Sequence, residues 1–254
     1  CLGVTTLLAS HSLADVSINE IRTEESGADN NEFVELIGTP GESLDGLYLI
    51  AVGDDSGVFP PLQNGFVESY VDLTGNSINQ DGFFVIAEST FTLGTPDLVA
   101  ALNFEGNDNV THFLISGFTG DVGTDIDLDD DGTIDNLSGT IIDSVALIVD
   151  AEPDGSNSDY FYSDNIVGPD GTFPPSLAYR CSDTGAWAIG EFTVGIDDTP
   201  NADNPTCGGG TGDTNVVINE IRIDQSGSDT DEYFELAGEP GTDLTGLTYL
   251  VIGG

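Results

Sequence analysis

The chain has 254 residues, with 46 acidic side chains set against three arginines and no lysine, for a formal net charge of -43. Such a surface repels phosphate backbones and excludes direct nucleic-acid binding by this region. It also repels itself, which implies a need for salt or bound divalent cations. A marine or otherwise saline extracellular setting is one reading of that need, and a plainly solvated acidic surface is the other.

No methionine occurs, even at position 1. Cys1 to Ser10 reads as the end of the apolar core of a signal peptide, and Ser12 and Ala14 supply small residues at -3 and -1 of a cleavage site before Asp15. Residues 1–14 are therefore expected to be the remnant of a secretory signal that lacks its basic start. A lipoprotein anchor at Cys1 fits less well, because the apolar run follows the cysteine. The expected location is secreted or cell-surface.

The next stretch is written twice. Val16-Ser17-Ile18-Asn19-Glu20-Ile21-Arg22 returns as Val216-Val217-Ile218-Asn219-Glu220-Ile221-Arg222, and Glu32-Phe33-Val34-Glu35-Leu36 returns as Glu232-Tyr233-Phe234-Glu235-Leu236. The offset is 200 residues without a gap, and 19 of the 38 aligned positions from 16 to 53 are identical. A period of this size signals tandem domains. Each copy reads as two strands, with Val16, Ile18, Glu20 and Arg22 on one face and Ser17, Asn19 and Ile21 on the other. Phe33, Glu35 and Ile37 alternate in the same way with Glu32, Val34 and Leu36, and Thr39-Pro40-Gly41 marks a turn.

These segments, INEIRT and NEFVELIGTPGESLDGLYLIAVGD, resemble the opening of a lamin tail domain as found in secreted bacterial proteins. In that family an I-x-E-I strand precedes E-F-V-E-L, a turn and a further strand. The resemblance implies an immunoglobulin-like β-sandwich and a binding or spacer module with no active site. It is good over residues 16–53 and 216–253 and looser between them.

Strand-like runs continue at 65–71, 83–87, 98–102, 109–115, 140–149, 176–180 and 187–192, without a sustained helical period. With 33 glycines and 11 prolines, the expected class is all-β, a sandwich or barrel. Thr199-Pro200-Asn201-Ala202-Asp203-Asn204 resembles the TPG-x-x-N segment that closes many bacterial lamin tail domains, with Asn201 where the glycine stands. The expected order is a β-sandwich over 15–207, a Gly-rich linker over 208–214 and the start of a second, truncated sandwich over 215–254.

The sharpest motif is Asp127-Leu128-Asp129-Asp130-Asp131-Gly132-Thr133-Ile134-Asp135. Its D-x-D-x-D-G spacing places Asp127, Asp129 and Asp131 at loop positions 1, 3 and 5, a turn-forming glycine at 6, the Thr133 carbonyl at 7 and Asp135 at 9. Calcium, a hard cation with six to eight oxygen ligands, suits this set, and Asp125 can add to it from the flank. Position 12 is Ser138 rather than glutamate, so the loop resembles those of extracellular calcium-binding repeats. The alternative is an acidic surface loop. The stretch from Gly117 to Leu147 also resembles an insert of secreted lamin-tail proteins.

With Cys1 in the signal, Cys181 and Cys207 remain, an even pair whose expected state in an exported chain is a disulfide; two free thiols are the alternative. Such a bridge, spanning 26 residues, stabilises by about 3 kcal/mol in the chain-entropy account. Enzyme signals are thin. His112 lies inside an apolar run, no G-x-S-x-G elbow is present, and zinc lacks ligands. Asp55-Ser56-Gly57 and Asp183-Thr184-Gly185 echo paired D-[ST]-G motifs but read better as turns. Arg22 is expected to pair with Glu20, Glu32 or Glu35 across neighbouring strands.

The expected role is a non-catalytic binding, adhesion or spacer module, stabilised by calcium and a disulfide, with an unknown extracellular or cell-surface ligand. The runner-up is an accessory region of an extracellular endonuclease/exonuclease/phosphatase-type enzyme, a metal-dependent nuclease or phosphatase whose catalytic domain lies downstream.

Overall fold

The computed structural model describes residues 16–54, 64–102, 104, 106–153, 160–207, 216–223, 232–238, 244, 249 and 251. The expected signal remnant, the Gly-rich linker and Asp55-Ser56-Gly57 lie outside the described residues. The chain divides into two units, 1–205 and 206–254. Among the described residues every regular element is a strand.

The first unit holds β1 (Ser17–Arg22), β2 (Phe33–Ile37), β3 (Leu47–Asp54), β4 (Asn64–Asp72), β5 (Phe83–Ala87), β6 (Leu98–Val99), β7 (Val110–Ser116), β8 (Thr140–Leu147), β9 (Ile166–Val167), β10 (Leu177–Arg180) and β11 (Trp187–Ile189). One sheet runs β11-β10-β1-β2-β5-β6 and the other β4-β3-β7-β8-β9. All pairings are antiparallel except β5 with β6 and β8 with β9.

The two sheets share one core, in a sandwich-like arrangement. Ile18, Ile21, Val34, Leu36, Phe84 and Ile86 of the first sheet pack in one cluster with Leu47, Leu49, Val71, Leu114, Val145 and Leu147 of the second. Period-2 alternation sends the opposite faces outward, and the second sheet buries that face as well. Ile50, Val52, Phe113 and Ile115 gather there under Phe118, Ile126 and Tyr162, which come from the segments after β7 and β8. The acidic loop thus begins as a cover for a sheet, with Ile126 as its plug.

Strict alternation fails in β1. Against β2 the register slips between Ile18 and Glu20, leaving Asn19 as an extra, bulged residue. Ile18 and Ile21 consequently share the core face, which corrects the expectation that put them on opposite faces. Glu20 and Arg22 turn to the other side, where Glu35 and Phe33 of β2 lie opposite them. Beyond the last pairing with β10, the Ile18 amide donates to Asp143 Oδ2 (2.8 Å) and its carbonyl accepts from Arg180 Nε (2.8 Å). An Arg180–Asp143 ion pair at 3.0 Å thereby links β10 in one sheet to β8 in the other.

The expected strand at 98–102 shrinks to two residues. After Ala100 donates to the Ala87 carbonyl the chain departs, and Leu102 is buried in the core instead. β9 had no signal, because Ile166–Val167 is too short to show a period.

In the second unit, β12 (Val217–Arg222) and β13 (Tyr233–Ala237) form an antiparallel pair. Its register matches that of β1 and β2 at an offset of 200, including the slip between Ile218 and Glu220.

Candidate functional site

The loop after β7 is fastened to β4 before it reaches its acids. Ile126 donates its amide to the Gly65 carbonyl, and Phe66 bridges Asp125. Gly65 has φ +79°, and a Cβ there would stand 2.7 Å from Asp127 Cβ, so only glycine lets the loop come this close. Asp130, itself at φ 53°, accepts the Asn64 amide at 2.7 Å and ties the loop to the start of β4.

Asp127 is fully buried. Its carboxylate accepts from the amides of Asp131 (3.1 Å) and Gly132 (2.8 Å) and from the Tyr162 hydroxyl (2.9 Å). Asp131 Oδ1 accepts the Thr133 amide and Asp135 Oδ1 the Leu128 amide, which curls residues 127–135 into a closed turn. Carboxylate oxygens of Asp127, Asp129 and Asp131 all lie within 4.8 Å of one another. Oxygens bound to one calcium at 2.3–2.6 Å are at most about 5 Å apart, so this spacing fits the ion. The charge of Asp131, followed by burial, lifts the exposed Asp129 carboxyl above the ordinary carboxylate range. Asp125 is lifted by burial first and then by its acidic neighbours, and its Oδ1 caps the Asp127 amide. Ser138 serves elsewhere, accepting the Thr119 amide.

Arg22 does not pair with Glu20, Glu32 or Glu35. The bulge at Asn19 sets its side chain beside the segment after β11, where it forms a fully buried pair with Asp198. Nε and Nη2 take the two oxygens of Asp198, and the remaining donors reach the carbonyls of Glu24 (2.9 Å), Phe192 (3.3 Å) and Glu191 (3.0 Å). A guanidinium has five N–H donors, and all five are used. Glu32 instead accepts the Phe104 amide.

Glu20 and Glu35, opposite each other on β1 and β2, meet the turn at 199–202. Glu35 accepts from the Asn19 side chain and the Asn201 amide, and Glu20 accepts the Thr199 amide at 3.1 Å. Asn201 takes φ 64°, a left-handed conformation that asparagine tolerates, so it replaces glycine in this turn without difficulty. Thr199 Oγ1 lies 2.7 Å from Asn204 Oδ1 and 3.1 Å from Glu20 Oε2. The Asn204 amide is oriented by its two donor bonds, to the carbonyls of Asn19 and Arg180, so its oxygen is the acceptor. One hydroxyl has one proton to give. The Thr199 hydroxyl therefore stands between two acceptors, Asn204 Oδ1 and Glu20 Oε2. Burial, then the charge of Glu35, pushes Glu20 up to about 8, and burial pushes Glu35 up to about 7.

His112 is fully buried on the core face of β7, edge-on to Phe104 at 4.7 Å, and burial lowers it to about 3. It is a neutral core residue. Asp183-Thr184-Gly185 is a turn, closed by the Gly185 amide on the Cys181 carbonyl. Cys181 and Cys207 are both disulfide-bonded. No helix among the described residues is long and apolar enough to cross a membrane.

Sequence reasoning missed Asp198 and Tyr162, and it found Thr199 and Asn204 only as parts of the closing turn, without their contacts to Glu20, Asn19 and Arg180. Asp198 had one usable signal, since Arg22 and Arg180 are the only cations between 15 and 207 and the closing turn begins beside it. Together these features define an all-β, sandwich-like, disulfide-bonded protein with an acidic loop laid over one sheet. No protein-family model, curated protein or solved structure matches the chain.

Proposed function

We propose that residues 15–207 form an immunoglobulin-like β-sandwich of the lamin tail type, acting as a non-catalytic binding, adhesion or spacer module of a secreted protein. Residues 215–254 begin a second copy after the linker at 208–214. The observation that carries this reading is the contact of the 199–204 turn with Glu20 and Glu35. The segment likened to the family's closing motif packs on the strands likened to its opening motif.

Calcium completes the module. Asp127, Asp129, Asp131, the Thr133 carbonyl and Asp135 hold the ion, with Asp125 at the flank, and the ion neutralises acids that otherwise repel. Support comes from the 4.8 Å convergence and from the buried, triply bonded Asp127. The non-catalytic reading is supported by His112, which is sealed in the core and unable to reach a substrate.

A surface and glycan-binding screen of the chain, with and without calcium, tests the role. Calcium-dependent retention on a cell-surface component is the expected result. Turnover of phosphoesters by the purified chain would refute it.

A further inference from the structure

A cavity of about 420 Å³ opens at one end of the sandwich, lined in part by Glu24, Asn107, Asp170, Phe173, Ser176 and Phe192. These residues are scattered from 24 to 192, and the fold fixes them. Arg22, buried beneath, holds the carbonyls of Glu24 and Phe192 with its own donors. Asp170 and Phe173 exchange backbone hydrogen bonds across a tight turn, at 2.8 and 3.2 Å. Ser176 is fixed at its carbonyl by the Thr23 amide.

Two further observations point to an occupant. Ser176, 6% exposed, is one of the lining residues, and its buried hydroxyl has no hydrogen-bond partner among the described residues. Phe173 and Phe192 are 60% and 49% exposed, the two most exposed aromatic rings among the described residues. Rings left in water beside two carboxylates, with no basic side chain among the described lining residues, make a surface complementary to an organic cation. A bare divalent ion would gain nothing from the rings.

We propose that this cavity binds the arginine side chain of a basic peptide. The guanidinium lies against Phe173 and Phe192, with its donors directed to the carboxylates of Glu24 and Asp170, to Ser176 Oγ and to the Asn107 carbonyl oxygen. Its five donors match that acceptor set, and its flat face suits stacking on a ring. The chain's net charge of -43 draws such a peptide in from solution. Burial, then Asp29, raises Glu24 above the usual carboxylate range, and an adjacent cation acts in the opposite direction. This names a partner for the binding module proposed above and rests on that reading.

The test is calorimetry on the 254-residue chain at physiological salt, using a blocked glycyl-arginyl-glycine peptide and its citrulline twin, which is isosteric and neutral. Arginine should bind at least tenfold more tightly than citrulline. Asp170→Asn and Phe173→Ala should each weaken binding about tenfold, and Ser176→Ala several-fold, with unchanged melting temperatures. Glu152→Gln, an exposed acid elsewhere, should leave affinity intact. Equal binding of both peptides overturns the proposal, as does equal loss from Glu152→Gln, which would mark diffuse attraction to an acidic surface. If arginine does not bind while the chain is still retained on a surface component, only the cavity's assignment fails. If nothing is retained either, the binding-module reading falls with it.

Discussion

Glu20 gives the sharpest prediction, because burial and the neighbouring Glu35 carboxylate both act against its charge. Folded, its carboxyl is pushed up to about 8, against 4.5 as an ordinary glutamate. The sign follows from the direction. An acid with a raised folded value favours the native state below pH 4.5, loses that advantage as pH climbs toward 8, and contributes nothing further above it. At about 1.4 kcal/mol per pH unit the loss has a ceiling of about 5 kcal/mol. Glu35, pushed to about 7, adds to the slope over a narrower window. Glu20→Gln removes the ionisation and keeps a donor for Thr199 Oγ1. The variant should match or slightly trail the parent at pH 5 and exceed it by several kcal/mol at pH 9. Urea denaturation in 0.5 M salt reads this cleanly, since salt screens the general repulsion that 46 acids add to both proteins. Two curves that run parallel from pH 5 to 9 would show that the fold does not raise the Glu20 carboxyl.

Arg22→Ala should cost about 3–5 kcal/mol in a melt, because it strands buried Asp198 and three carbonyls. Arg22→Lys should recover little of that, since an ammonium cannot span five acceptors. With a dissociation constant of about 0.1–1 mM, 10 mM calcium should stabilise the chain by about 1.4–2.7 kcal/mol. Asp129→Asn should reduce that gain, and absence of both heat and stabilisation in the parent would rule out the ion. Reduction should destabilise by about 3 kcal/mol, and mass spectrometry without reductant should find Cys181 and Cys207 bridged.

Much of this fold was legible where period-2 patterning is strong. The runs at 83–87 and 109–115 became β5 and β7 nearly residue for residue. The bulge at Asn19 was missed although INEIR carried a sign of it, since Ile18 and Ile21 stand three apart and share a face only if one residue is skipped. It takes β2 and the 199–204 turn, far along the chain, to draw Glu20 and Glu35 to one side. The same limit applies to Arg22. In a chain so rich in acids, sequence offers dozens of partners, and proximity along neighbouring strands favoured the wrong ones. The acid loop was legible through its spacing. Its anchoring through Gly65, Tyr162 and Ile126 was not, since those residues join it only through the second sheet.

The margins of the two sheets bear on how such modules behave in a row. Three of the four outermost strands, β6, β9 and β11, have only two or three residues. The fourth, β4, is long, but residues 123–126 occupy the hydrogen-bonding groups of Gly65 and Val67 at its start. A foreign strand therefore finds only short stretches of unpaired backbone on the first unit. Even when crowded at high concentration in brine, where charge repulsion is muted, first units finished this way should resist fusing edge to edge into fibres.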